Sequence, residues 1–187
     1  MSQPAVKRIS APLAPEAIDA LRAGDQVLIS GTLLGARDAA HQRLVAALER
    51  GAPLPVELQG QVLYYVGPAP AKPGAPVGSA GPTTSGRMDS YTPAMLAAGV
   101  RGMIGKGYRS EAVRQAIAAH GAVYFAALGG TGALLARRIT AAEVIAYPEL
   151  GPEALYRLTV ADFPAIVVND RYGADLYQQA LSQYAEE

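Results

Sequence analysis

Four short segments of this chain carry the side chains that can do chemistry. The chain has no cysteine and only two histidines, so that chemistry falls to hydroxyls, carboxylates, Lys and Arg. Disulfides, thiolate metal sites, a cysteine nucleophile and a multi-histidine metal site are all excluded from it. The first segment is Gly35-Ala36-Arg37-Asp38-Ala39-Ala40-His41. Asp38 suits the start of a helix, where it satisfies free backbone amides and faces the positive end of the dipole. Arg37 does not. A cation there costs about 0.3 to 1 kcal/mol when exposed, unless it and the free N–H groups share a bound anion. The plainer reading is a solvated Arg beside a capping Asp. For His41, on the apolar face of the same helix, a satisfied core histidine stands beside an acid–base role.

The second segment, Gly81-Pro82-Thr83-Thr84-Ser85-Gly86-Arg87-Met88-Asp89-Ser90-Tyr91, is a run of small and hydroxyl-bearing residues around an arginine. Small residues let backbone N–H groups approach an anion, and a guanidinium can take a carboxylate through two parallel bonds. A dicarboxylate would suit it, and so would a simple helix cap with surface Thr and Ser. The third is Gly105-Lys106-Gly107, where flanking glycines free the backbone to bring an ammonium group up to a ligand. It is not a Walker motif, because Gly107 stands where Ser or Thr is required and Val100 where the earlier glycine belongs. A solvent-facing turn lysine is the alternative. The fourth, Gly129-Gly130-Thr131-Gly132, lacks the third glycine of a dinucleotide fingerprint and reads as tight packing between a strand and a helix.

These segments need elements to hold them. Ala14 to Ala23 reads as a short helix, and Gln26 to Ser30 as an apolar strand followed by a Gly-rich connection through Gly35. Arg37 to Arg50 is a helix with His41, Leu44, Val45 and Leu48 on one face, stopped by Gly51. Gln61 to Val66 is strand-like, and the Pro- and Gly-rich stretch 67–80 is an irregular loop. Strand and helix then alternate: strand 102–104, a helix 111–119 capped by Ser110, strand 122–128 and a short helix 131–138. Short strands at 143–147, 156–160 and 164–168 precede a last helix near 174–184. The pattern is α/β, and 187 residues suggest one domain over 1–187. Half the residues are hydrophobic and 16 basic residues balance 16 acidic ones, which argues against disorder and against nucleic acid as a partner. The uncharged stretch 115–136 is long enough to span a bilayer, but its glycines break it into helix end, strand and turn, so no membrane association is expected. Residues 1–10 show no apolar core of a secretory signal, and a cytoplasmic protein is expected.

Taken together, the segments resemble the β subunit, or C-terminal domain, of class I fumarases and their tartrate dehydratase relatives. The pieces that carry the resemblance are GTLLGARDAAHQRL (31–44), YYVGP (64–68), GPTTSGRMDSY (81–91), GKGYRS (105–110), GG (129–130), YPELGPEAL (147–155) and DFPAIVV (162–168). The fold implied is a single swivelling β/β/α domain, a mixed central sheet flanked by helices. In that family a [4Fe–4S] cluster held by cysteines of the α part leaves one iron open as a Lewis acid. The resemblance therefore implies an α-subunit partner, in an αβ or (αβ)2 complex, with no cluster ligand on this chain. It implies that Arg37, Arg87 and Lys106 hold the substrate carboxylates, aided by Thr84. Thr83 would lie beside the carbon whose proton is exchanged, with Asp38 as its catalytic support; Asp38 and His41, one helical turn apart, would as a pair orient Arg37. A threonine hydroxyl is a weak base, so Thr83 would need clustered cations to stabilise its alkoxide, or would relay its proton to the partner.

The leading reading is reversible hydration of fumarate to L-malate. Tartrate or mesaconate as substrate is the same-family alternative, and a non-catalytic dicarboxylate-binding module is the alternative from another class. The first two require the loops 31–38, 81–87 and 105–107 to share one face of the fold.

Overall fold

The structure, a computed structural model, describes residues 5–184, so the first four residues of the N-terminal reading lie outside it. Among the described residues, seven strands and six α-helices follow one another. The strands are Lys7–Ala11 (β1), Gln26–Gly35 (β2), Val62–Tyr64 (β3), Gly102–Gly105 (β4), Val123–Ala126 (β5), Ile139–Ala146 (β6) and Leu155–Asn169 (β7). The helices are Pro15–Asp19 (α1), Asp38–Glu49 (α2), Thr92–Ala97 (α3), Glu111–Ala119 (α4), Gly132–Ala136 (α5) and Leu176–Tyr184 (α6).

Strands β1 to β5 are parallel and lie in sequence order. β7 runs against them and pairs with β2 on one side and β5 on the other, so that β2, β3, β4, β5 and β7 form a closed ladder. β6 pairs with the first half of β7. The sheet is thus mixed, as the family resemblance implies. Alternation along each strand divides the core in two. Val62, Tyr64, Ile104, Phe125, Phe163 and Val167 point to one side, together with Ile18 of α1 and Leu135 of α5. Leu63, Met103, Tyr124 and Val168 point to the other, against Leu44 of α2, Leu96 of α3, Ile117 of α4 and the half-buried Leu176 of α6. Tyr64 and Phe163 meet edge to face inside the first cluster, with ring centroids 5.1 Å apart.

Two expectations change. The Gly-rich stretch after Ser30 is not a connection: β2 runs on through Gly35, paired with β7 along its length. Gly31 makes this possible. Its φ is +113°, and a Cβ there would stand 2.1 Å from the Ala11 carbonyl oxygen, so only glycine allows the bulge at this point of the ladder. Likewise 156–160 and 164–168 are not separate strands. β7 is one strand of 15 residues that bends at Asp162, whose φ is +49°. Ser30 Oγ accepts the Asp162 N–H at 3.0 Å and secures the bend. The irregular loop 67–80 and the Ser110 cap on α4 are as expected, the Ser110 hydroxyl accepting from Val113 N at 3.4 Å.

His41 is fully buried in α2, edge-on to Tyr65 at 5.3 Å between centroids. Its Nδ1 lies 2.9 Å from the Arg37 carbonyl oxygen, which can only accept, so Nδ1 carries a proton. Burial lowers its pKa to about 4; the Arg37 carbonyl and Asp38 oppose the shift and Arg109 adds to it. The ordinary value is 6.5, so between the two values the unfolded chain takes up a proton that the folded chain refuses. The stability tied to neutral His41 is therefore complete above about pH 6.5, declines as the pH falls, and is gone below about pH 4. Between pH 7 and pH 5 the parent should lose about 2 kcal/mol more stability in urea titrations than His41→Gln, which cannot titrate. Parallel pH dependences for the two proteins would contradict this assignment.

Candidate active site

Because β2 to β5 run parallel, their C-terminal ends open on one edge of the sheet, and the loops that leave them meet there. β2 delivers Ala36-Arg37-Asp38, with the Ala36 N–H donating to the Tyr64 carbonyl at 3.0 Å. β4 delivers Lys106. The Thr83-Thr84 segment is laid along the same edge: Thr83 N–H donates to the Tyr65 carbonyl at 2.7 Å and its carbonyl accepts from Lys106 N at 3.3 Å. Ser85 N–H then donates to the Lys106 carbonyl at 2.9 Å, and a short 3-10 turn, Ser85–Met88, carries Arg87. β5 ends beside Lys106, where a Cβ on Gly129 would lie 3.7 Å from Lys106 Cδ. The three loops thus share one edge.

Close approach sets the glycines. A Cβ on Gly105 would lie 2.0 Å from Ser85 Oγ, so a side chain there would push the hydroxyl segment off the sheet. One on Gly67 would meet Arg37 Cδ at 2.9 Å, so this glycine makes room for the arginine stem. Gly132 packs against Ser79 and Gly81, a tight contact as the sequence suggests, but made with a loop rather than with the strand.

A chain of alternating charges crosses the site. Asp38 accepts from Arg37 Nε at 3.2 Å and from Arg87 through two bonds, Nε at 2.9 Å and Nη2 at 2.8 Å. Burial alone would raise the Asp38 pKa, but its own backbone N–H and the two guanidinium groups outweigh that and lower it. Arg37 Nη2 in turn lies 3.2 Å from Glu153 Oε1. The helix-end anion that Arg37 requires is therefore found within the chain: Glu153 Oε2 accepts the Ala39 N–H at 2.9 Å, the position that the sequence reading gives to Asp38. His41 Nδ1–H holds the Arg37 carbonyl and faces the core, away from any substrate. Among the described residues, the Thr83 and Thr84 hydroxyls and the Lys106 ammonium make no hydrogen bond or ion pair; Thr84 and Lys106 are exposed and Thr83 is half-buried.

Beneath this surface lies a layer that the sequence reading does not identify. The Arg109 guanidinium is fully buried and holds Asp89 at 2.8 Å, the Tyr65 hydroxyl at 3.1 Å and Thr92 Oγ1 at 2.5 Å. Asp89 also accepts the Ser110 N–H at 2.7 Å, which ties the Arg87 turn to the loop that follows Lys106. Tyr124 bridges Ser85 and the Gly107 carbonyl at 2.9 Å each. Arg109 and Asp89 stand inside the GKGYRS and GRMDSY runs, but nothing in their spacing distinguishes a buried pair from surface charges.

The chain matches the family model described as Fumarase C-terminus over residues 3–180. It is 41% identical to the anaerobic class I fumarate hydratase of Escherichia coli K12 over 83% of its own length, and 41% identical to fumarate hydratase 2 of Leishmania major over 85%. It spans 29% and 28% of the lengths of those two proteins. It is also 33% identical to a putative L(+)-tartrate dehydratase subunit beta of Methanocaldococcus jannaschii, over 89% of this chain and 88% of that one. With its fold, its converging loops and this match along nearly its whole length, the chain belongs to the fumarase C-terminus family, which it shares with these relatives.

Proposed function

We propose that this chain is the substrate-binding part of a hydro-lyase that interconverts fumarate and L-malate, working with an α part that carries the iron–sulfur cluster. The observation that supports it best is the convergence of Arg37, Asp38, Arg87, Thr83 and Lys106 on one sheet edge, fixed by backbone bonds and shared carboxylates. The site's cations, Arg37, Arg87 and Lys106, outnumber its carboxylates, Asp38 and Glu153, and the Lys106 ammonium has no internal partner among the described residues. That balance suits a dianionic substrate. Lys106 and the outward donors of Arg37 and Arg87 bind and orient its carboxylates, with Thr84 beside them. The Thr83 hydroxyl, which makes no hydrogen bond among the described residues and stands on a backbone paired with that of Lys106, moves the proton at the neighbouring carbon, while Asp38 keeps the guanidinium groups in place.

The chain's own donors do not fit a cluster. It has no cysteine, and among the described residues no three His, Asp or Glu side chains gather as a metal site. In this proposal the cluster belongs to the partner, where it supplies a Lewis acid for the substrate hydroxyl and carboxylate. The likeness to a tartrate dehydratase β subunit over most of both chains favours tartrate as the second reading. Assaying one reconstituted complex with both substrates separates the two.

The isolated chain should be colourless and should not hydrate fumarate, whereas combining it with a class I fumarase α part and reconstituting iron and sulfide should yield activity. Turnover by the iron-free chain alone would defeat the two-part assignment. Arg87→Lys in the complex keeps the charge but loses the planar fork that binds Asp38 and faces the site. It should lower kcat/KM for fumarate by roughly ten- to a hundredfold with little change in Tm. Unchanged kcat/KM would remove Arg87 from the site, and a large fall in Tm would make its role structural.

A further inference from the structure

Glu153 stands in no motif to which the sequence assigns chemistry, yet it closes the charge chain. One oxygen lies 3.2 Å from Arg37 Nη2 and the other accepts the Ala39 N–H at 2.9 Å, so a single carboxylate joins the arginine to the first turn of α2. The segment that presents it is tied to α2 by one ion pair and to β7 by one hydrogen bond. Arg43 reaches Glu149 at 3.6 Å, Tyr156 OH donates to the Gly151 carbonyl at 3.0 Å, and Tyr147, where the segment begins, has a φ of +59° that non-glycine residues rarely adopt. The Arg37 side chain is confined as well: a Cβ on Gly67 would meet Arg37 Cδ at 2.9 Å, Arg37 Nη1 at 3.0 Å and the Pro152 carbonyl at 3.1 Å.

We propose that Glu153 is a positioning residue for Arg37. Asp38 holds Nε and Glu153 lies at Nη2, so two carboxylates together fix the plane of the guanidinium and hence the direction in which its remaining N–H donors meet a substrate carboxylate. Glu153 is not a stand-in for substrate that the substrate displaces. Releasing it would leave the Ala39 N–H without its acceptor at the positive end of α2, as well as breaking the ion pair. Asp38 alone does not suffice, because one carboxylate serving both Arg37 and Arg87 leaves Arg37 free to rotate about the Nε contact.

This inference rests on the hydro-lyase reading for its substrate, but its structural half is tested without turnover. Glu153→Gln keeps an acceptor for Ala39 and nearly the same volume while losing the charge. In the isolated chain, the 15N–1H signal of Arg37 Nε should shift and its solvent exchange should quicken in Glu153→Gln, with Tm near the parent's; an unmoved signal overturns the proposal. In the reconstituted complex, Glu153→Gln should raise KM for fumarate or malate about tenfold, with a smaller change in kcat. It should have no further effect in an Arg37→Met background, since Glu153 acts only through Arg37. Additive losses, or an unchanged KM in an active complex, overturn it as well. A parent complex inactive on fumarate, malate and tartrate would instead sink the hydro-lyase reading, while the Arg37 signal would still decide whether Glu153 holds that side chain.

Discussion

β7 is the element on which the arrangement depends, because it is hydrogen-bonded at once to β2 and to β5. A row of parallel strands left open has two edges; one antiparallel strand joined to both ends removes the gap and fixes the rotation of every strand in the ring. The consequence for chemistry is direct. With β2 to β5 locked in one direction, all the loops leaving their C-terminal ends emerge together, and residues as far apart in sequence as Arg37 and Lys106 are brought to one edge. The Gly31 bulge and the bend at Asp162 belong to the same closure, since a strand that pairs with two partners while curving must break its regular register somewhere.

On that edge, charge is organised in two layers of different character. The outer layer of Glu153, Arg37, Asp38 and Arg87 is partly solvated, with side-chain exposures between 24% and 49%, so its value lies in geometry more than in net stability. The inner layer is the Arg109–Asp89 pair, whose guanidinium is wholly withdrawn from water. Burial works against that charge, yet Tyr65 and Asp89 more than offset it and raise the Arg109 pKa, with Thr92 Oγ1 and the Tyr65 and Tyr124 rings completing its surroundings. Removing Asp89 would leave the Arg109 charge buried without its counter-ion. The inner pair thus fixes the backbone that carries Arg87 and Lys106, while the outer chain of carboxylates sets where the guanidinium groups point.

The neutral, buried His41 belongs with this division. A histidine one helical turn from the site carboxylate invites an acid–base role, but its proton is committed to the Arg37 carbonyl and its other nitrogen faces the core. Its contribution is to secure the backbone from which Arg37 projects.

Much of this was written in local order. The alternation of apolar strands and helices, the Ser110 cap, the missing thiolates and the hydroxyl- and arginine-bearing runs are properties of neighbouring residues, and the sequence alone determined them together with the family they resemble. It could not determine that Gly31 continues a strand, because the need for that glycine comes from the Ala11 carbonyl, brought beside it by the pairing of β1 with β2. It could not separate Arg109 from Arg87, two arginines in similar runs, since burial depends on what covers them. Nor could it reveal Glu153 as the acceptor at the start of α2: that carboxylate is 114 residues from the amide it binds, and Asp38, the local candidate, turns to the arginines instead. Local sequence set which elements form and which groups were available. Tertiary structure decided which of those groups meet, because contacts between distant residues depend on how the sheet closes.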